Sequence, residues 1–214
     1  MKKGCILCLL ISVISLPLIA QNIIYSNLKE LLTQHGDTTA VLCVEKRSRN
    51  QIVLTGGADY RITAGDDESM CRRLKKRCFA VRDEKGNLYL NCRKLRYKKL
   101  RFGAWYAPAV QLGKNIYFCA MPLGSVIGGN FVEEDDVKLG GNIGDALAAS
   151  SLVTKRVCYE LNGETGKVDF LGKDRMLQLL KNYPELKQAY LKDDSQEAKH
   201  TFKYLLELQN KQKK

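Results

Sequence analysis

His35 and His200 are the only two histidines in the 214-residue chain, and eight cysteines accompany them. A serine or cysteine nucleophile needs a base beside it, and each histidine has a plainer role. His35 falls in the last turn of a helix predicted from Ile24, Leu28, Leu31 and Leu32 and stopped by Gly36. There an imidazolium faces the negative end of the helix dipole. His200 lies off the apolar stripe of the C-terminal helix and reads as solvated. Zinc takes Cys and His at close spacing, and Cys71 and Cys78 lack the tight C-x-x-C form. The acids Glu133, Glu134, Asp135 and Asp136 are consecutive, without the alternation of a calcium loop. A carboxylate pair for glycoside cleavage is defined by separation in space, so a hydrolase with an unrecognised carboxylate site stays a remote alternative. The reading is a protein that is not an enzyme, with no catalytic residue, metal or cofactor assigned.

The side chains that remain are cationic. The formal charge is +12, and residues 71–101 hold thirteen Lys and Arg against Asp83 and Glu84. That segment therefore carries 13 − 2 = +11, and nearly all of the excess is local. A local excess creates a usable field. The candidate anion contacts are Arg72, Arg73, Lys75, Lys76, Arg93, Lys94, Arg96, Lys98, Lys99 and Arg101. The plain alternative is a solvated basic surface that keeps the protein soluble and guards a sheet edge.

Which anion depends on compartment. Lys2 and Lys3 lead into an apolar run from Ile6 to Ile19, then Ala20 and a polar restart at Gln21. That order predicts a signal peptide over residues 1–20. The run is shorter than the roughly 20 apolar residues of a membrane span, and no later stretch is apolar enough, so no transmembrane span is expected in the mature chain. Export argues against nucleic acid. It leaves an anionic lipid, a glycan or an acidic protein as partner, in the periplasm, at the cell envelope or secreted. Six cysteines remain after the leader. An even number in an exported chain permits disulfides, and Cys71 with Cys78 is the nearest candidate pair. Cys43, Cys92, Cys119 and Cys158 sit in strand-like runs and read as small buried hydrophobes.

The elements that must position these residues alternate between the two periodicities. Strands are expected at 40–44, 52–54 and 60–63, then a short helix capped at Asp66-Asp67 and ending near Lys76. Phe79–Val81 and Leu88–Cys92 form a hairpin. Trp105–Leu112 and Ile116–Met121 form a second, joined at Gly113-Lys114 in a type II′ turn. Four such strands make an antiparallel meander. Gly124, Gly128, Gly140, Gly144 and Ala148 put a small residue at every fourth position, read as a loop and then a close-packed helix over about 142–151. Val157–Leu161 and Val168–Phe170 make a third hairpin. Helices follow on Met176–Leu180, on Pro184 at position N1 with Leu186, Ala189 and Tyr190, and on Ala198, Phe202, Leu205 and Leu206 behind a capping pair of Asp194 and Glu197.

The apolar fraction of 45% argues against disorder. The fold class is α+β: antiparallel hairpins with packing helices, as a single domain over residues 21–192 followed by a C-terminal helix and basic tail over 193–214. Three segments carry a resemblance: Phe79-Ala80-Val81 leading to Asn87-Leu88-Tyr89-Leu90-Asn91, Cys158-Tyr159-Glu160-Leu161 leading to Glu164-Thr165-Gly166-Lys167-Val168, and Met176 through Leu186. In order and spacing the chain resembles, over about residues 75–192, a family of uncharacterised exported proteins from Bacteroidetes. The resemblance implies a Gram-negative envelope or secreted location and transfers no activity. The expectation is a non-catalytic module whose basic strands and loops over 71–101 contact an anionic envelope component. The alternative is a partner-docking protein using segment 124–148 or the C-terminal helices.

Overall fold

The computed structural model describes residues 21–39, 41–123, 125–127, 130–132, 154–193 and 197–213. Their centre is an antiparallel sheet of ten strands. Eight of them form one path: β14 (Val168–Phe170), β13 (Val157–Leu161), β10 (Asn115–Ala120), β9 (Tyr106–Leu112), β6 (Leu88–Asn91), β5 (Ala80–Arg82), β1 (Asn22–Tyr25) and β2 (Asp37–Thr39). Strand β3 (Cys43–Lys46) pairs with β4 (Tyr60–Thr63), and β4 reaches β9 through Tyr60 opposite Tyr106; β11 (Ser125–Ile127) and β12 (Asn130–Val132) form a separate antiparallel pair. The class is α+β, as expected.

The expected hairpins are present because period-2 patterning puts one set of side chains on each face. Gly113, at φ +58°, opens the β9–β10 turn, a left-handed value that glycine adopts freely. Strand β6 is buried at every position, so both faces of the sheet's middle are covered. On one face Leu88, Leu90, Ala107, Ile116, Phe118 and Tyr159 form a core with Tyr25 and Leu31. Helix α1 (Leu28–Thr33) and a small hairpin, β7 (Arg96–Tyr97) with β8 (Leu100–Arg101), lie over it. The other face holds two cores. Val110, Tyr117, Cys119 and Cys158 pack under α4 (Lys173–Leu179), α5 (Pro184–Lys192) and α6 (Ala198–Gln212). Ile24, Val81, Tyr89 and Tyr106 pack under α3 (Glu68–Lys76) and the β3–β4 pair.

Several local expectations change. Ile24 belongs to β1, not to the first helix, because that strand pairs with both β2 and β5. The helix starts later, capped by Asn27, whose Oδ1 accepts from the Glu30 amide at 2.9 Å, and it ends at Gln34 in left-handed conformation rather than at Gly36. Ile52–Leu54 is not a strand but part of α2 (Arg49–Thr55). There Ser48 and Gln51 form a reciprocal capping box that overrides the β-propensity of Ile and Val. Asp67 caps α3 as anticipated, accepting from the Met70 amide at 2.9 Å. Helix α6 begins at Glu197 without a side-chain cap, and its buried stripe is Ala198, Tyr204, Leu205 and Leu208, with Leu206 exposed. Leu205 and Leu208 are fully buried against the sheet, so α6 is part of the body of the fold. The leader over 1–20, most of the small-residue segment, the acids at 133–136 and Asp194 lie outside the described residues.

Helix α4 is bound to the sheet by one polar cluster. The Glu160 carboxylate accepts from Arg175 Nε and Nη2 at 2.8 Å, from Asn115 Nδ2 at 2.6 Å and from the Tyr117 hydroxyl at 3.0 Å. Burial pushes the Glu160 carboxyl up, but these donors outweigh it and hold the carboxyl below its ordinary value. Burial, with Glu160 alongside, pushes the Tyr117 phenol up to about 12.

Candidate anion-binding site

The ten predicted cations do not gather into one patch. Arg72, Arg73, Lys75 and Lys76 ride on α3, over one face of the sheet. Arg96 and Arg101 belong to the β7–β8 hairpin and Lys98 and Lys99 to its turn, over the other face. The hairpin alternates inside and outside. Leu95 and Phe102 are buried, while Arg93, Lys94, Arg96, Lys98, Lys99 and Arg101 are exposed. Lys98 takes the tight turn at φ +51°, its ammonium 5.7 Å from the Tyr97 ring centre. Arg73 is engaged elsewhere, in an ion pair with Asp37 that ties α3 to β2.

The hairpin cations do not join those of α3; a cleft of about 270 Å³ opens between α3, β4 and the segment around Trp105. Lys75 from α3 and Arg93 from the loop after β6 line it, and Arg61 from β4 joins them. Among the described residues its lining includes three cations and no carboxylate. The Cys71 thiol also lines it, its sulfur accepting from the Ala64 amide at 3.3 Å.

The floor of the cleft is built from buried polar groups. Asn91 Nδ2 donates to the Leu74 and Cys78 carbonyls at 3.1 and 2.9 Å, and the Tyr106 hydroxyl donates to the Leu74 carbonyl at 2.7 Å. Those carbonyls belong to the end of α3 and the turn beyond it, where the backbone lacks helical partners. The two side chains thus fix the helix that carries Lys75. Asn91 Oδ1 accepts from the Arg93 amide at 3.2 Å, which sets the start of the Arg93 loop from the same residue.

The wall is Trp105, the single tryptophan of the chain. It holds φ at +77°, a strained value for a bulky residue and one that calls for support from its surroundings. The support is visible. The Trp105 carbonyl accepts from the Cys92 amide at 2.9 Å, and the neighbouring Ala104 carbonyl accepts from the Ala58 amide at 3.0 Å. The buried Arg47 guanidinium lies 4.9 Å from the indole centre, and that of Arg61 lies 5.9 Å away. Arg47 is itself pinned, donating to the carbonyls of Gly56, Ala58 and Gln51 at 2.8, 2.7 and 2.9 Å. Burial lowers its pKa from the ordinary arginine value, while Asp59 acts to raise it. Asp59 in turn is ion-paired with Arg156. Gly57 passes so close that a Cβ there would sit 2.4 Å from the Ala104 oxygen.

Of the sequence-predicted contacts, Lys75 and Arg93 line this cleft. Arg61 and Trp105 were not singled out. The available signals were a lone tryptophan just after Gly103 and a glycine pair at Gly56-Gly57. His35 is exposed, its Nδ1 2.6 Å from the Thr33 carbonyl. His200 is not simply solvated, since its Nδ1 lies 2.9 Å from Asp193 Oδ2. Cys71 and Cys78 are free thiols. Cys71 faces the cleft, and Cys78 is buried against the Tyr25 and Ala80 carbonyls at 3.6 and 3.1 Å. Among the described residues no three His, Cys, Asp or Glu side chains are placed to hold a metal ion, and no helix is long and apolar enough to cross a membrane.

A model of a family of unknown function (DUF6563) matches residues 23–212, almost the whole described chain. The chain belongs to that family. The match extends well beyond the 75–192 span that carries the sequence resemblance and takes in the sheet from Ile23 of β1 onward. It also includes α6 to its last residue. Every element that builds the cleft, from Arg47 to Tyr106, therefore lies within the family's domain. No curated protein and no solved structure matches the chain.

Proposed function

We propose that this family member is an exported, non-catalytic binding module of the Gram-negative envelope. Its cleft of Arg61, Lys75 and Arg93 takes the anionic group of an envelope component, either a phosphate- or carboxylate-bearing sugar or a lipid headgroup. The observation that carries the reading is the convergence of three cations, with no carboxylate among the described lining residues, around a small cleft walled by Trp105. A volume of about 270 Å³ suits a charged group with a small body, just under the roughly 300 Å³ at which ordinary ligand pockets begin. Arg offers paired donors to phosphate and carboxylate, and Lys a point charge. The half-buried indole beside them adds an apolar side to the cleft. The leader pattern ahead of Gln21 supports export, which removes nucleic acid from competition and leaves envelope polyanions.

The test is retention of the mature protein on a sulfated polysaccharide matrix and on vesicles containing anionic lipid. Retention falls steeply above about 0.1 M salt as screening shortens. Reversing Arg61, Lys75 and Arg93 to Glu together abolishes it, while reversing Lys98 and Lys99 reduces it only slightly. If the Lys98/Lys99 variant loses retention and the cleft variant keeps it, the hairpin is the contact and the cleft assignment is wrong.

A further inference from the structure

Cys119 on β10 and Cys158 on β13 stand directly opposite each other in the antiparallel register. Opposed residues in such a pair have Cα atoms about 4.5 or 5.5 Å apart, and both values fall inside the roughly 4.4–6.8 Å range of disulfides. Their side chains point to the same face of the sheet, into the core beneath α6. Both sulfurs approach one acceptor, the Ala198 carbonyl, at 3.7 Å from Cys119 and 3.4 Å from Cys158. The four other described cysteines have no such opposite number: Cys43 faces Thr63 across its ladder, and Cys71, Cys78 and Cys92 lie outside strands. We propose that Cys119 and Cys158 are a modification site, oxidised to a cross-strand disulfide that ties β10 to β13.

The chemistry is thiol–disulfide exchange with the disulfide of a thiol oxidoreductase or of oxidised glutathione. One cysteine, as thiolate, attacks the donor disulfide and expels a thiolate. The second attacks the resulting mixed disulfide. Two protons and two electrons leave the pair, one S–S bond forms, and the donor is left as two thiols. Both side chains are buried, and the hydrogen bond with Cys158, followed by burial, holds the Cys119 thiol well above its ordinary pKa. Exchange therefore belongs to folding, while β10 and β13 are paired and α6 has not yet closed over them. Opposed Cβ atoms in a sheet lie about 4.5–5.5 Å apart, against roughly 3.5–4.5 Å in a disulfide. The bond therefore draws the two strands slightly together. This inference is independent of the anion cleft.

The test is refolding of the reduced, denatured chain in a buffer of reduced and oxidised glutathione, with thiols capped in acid before peptide mapping. The expected result is one linked peptide pair containing Cys119 and Cys158, with Cys43, Cys71, Cys78 and Cys92 capped. The bond closes a loop spanning 158 − 119 = 39 positions in sequence. The oxidised protein should melt roughly 5–15 °C above the reduced one, a difference that vanishes in the double variant Cys119→Ser/Cys158→Ser. Should refolding fail, the same mapping on natively purified protein, oxidised in partial denaturant, answers the question. Capped thiols at both positions, or a link between Cys71 and Cys78, overturns the proposal.

Discussion

Replacing Gly57 with alanine tests whether the wall of the cleft is rigid. Gly57 has φ +82°, where an added side chain costs about 1–2 kcal/mol. Its Cβ would also sit 2.4 Å from the Ala104 oxygen and 2.9 Å from Trp105 Cδ1. The first contact is with backbone that is hydrogen-bonded to Ala58, so it cannot swing away as a side-chain tip would. Forced overpacking of this kind adds about 1–3 kcal/mol, for a total of about 2–5 kcal/mol. For a chain of this size that lowers the melting temperature by roughly 4–20 °C. Gly86 is the control. It shares the same φ of +82° and has nothing within 4 Å of its would-be Cβ, so Gly86→Ala bears only the backbone cost of about 1–2 kcal/mol. Denaturant unfolding followed by Trp105 emission measures both, and the native emission of Gly57→Ala should also shift because the indole is pushed. Equal costs for the two variants, with unchanged emission, would refute the reasoning. The 103–105 segment would then yield freely, and Trp105 would not be braced.

Other outcomes follow from the same contacts. Asn91→Leu leaves the Cys78 carbonyl without its Asn91 donor and the Leu74 carbonyl with Tyr106 alone, so it should cost about 1–3 kcal/mol in denaturant unfolding and weaken anion retention through Lys75. Leu208→Ala should cost about 2–5 kcal/mol, and Leu206→Ala, at 41% exposure, under 1 kcal/mol by the same assay. The Arg73–Asp37 pair, with side chains 32% and 64% exposed, should give a double-mutant coupling below about 1 kcal/mol. Glu160 is held below its unfolded pKa, so its contribution is present above about pH 4.5 and is lost as pH falls through the lower folded value. Acid unfolding of Glu160→Gln should accordingly show a shallower pH dependence below about pH 4.5 than the wild type. In the reduced native protein Cys43 should react with a thiol reagent first. Cys78 and Cys92, whose thiols burial pushes up to about 11 and 12, should react only on unfolding.

The three long hairpins were legible because each has a clear two-residue alternation and a turn glycine or Asp/Asn cluster between its strands. The Asp67 cap and Pro184 at N1 were legible for equally local reasons. Ile52–Leu54 misled because its residue types favour strands, although Ser48 and Gln51 carry the capping-box spacing that decides for helix. Ile24 misled because Leu28, Leu31 and Leu32 extend its apparent helical stripe, while two strands from elsewhere in the chain claim it. The basic block named Lys75 and Arg93 but not Arg61 or Trp105. Their meeting depends on β4 crossing onto the start of β9 at Tyr60 and Tyr106, a long-range pairing that no local pattern encodes.

The most direct measurement is the emission of Trp105, the single tryptophan, during titration of the protein with inorganic phosphate and with a phosphorylated sugar. A saturable change is expected for both, tighter for the sugar, weakened by salt and absent from the Arg61→Glu/Lys75→Glu/Arg93→Glu variant. A flat titration in the wild type, or an undiminished change in that variant, would contradict the cleft assignment.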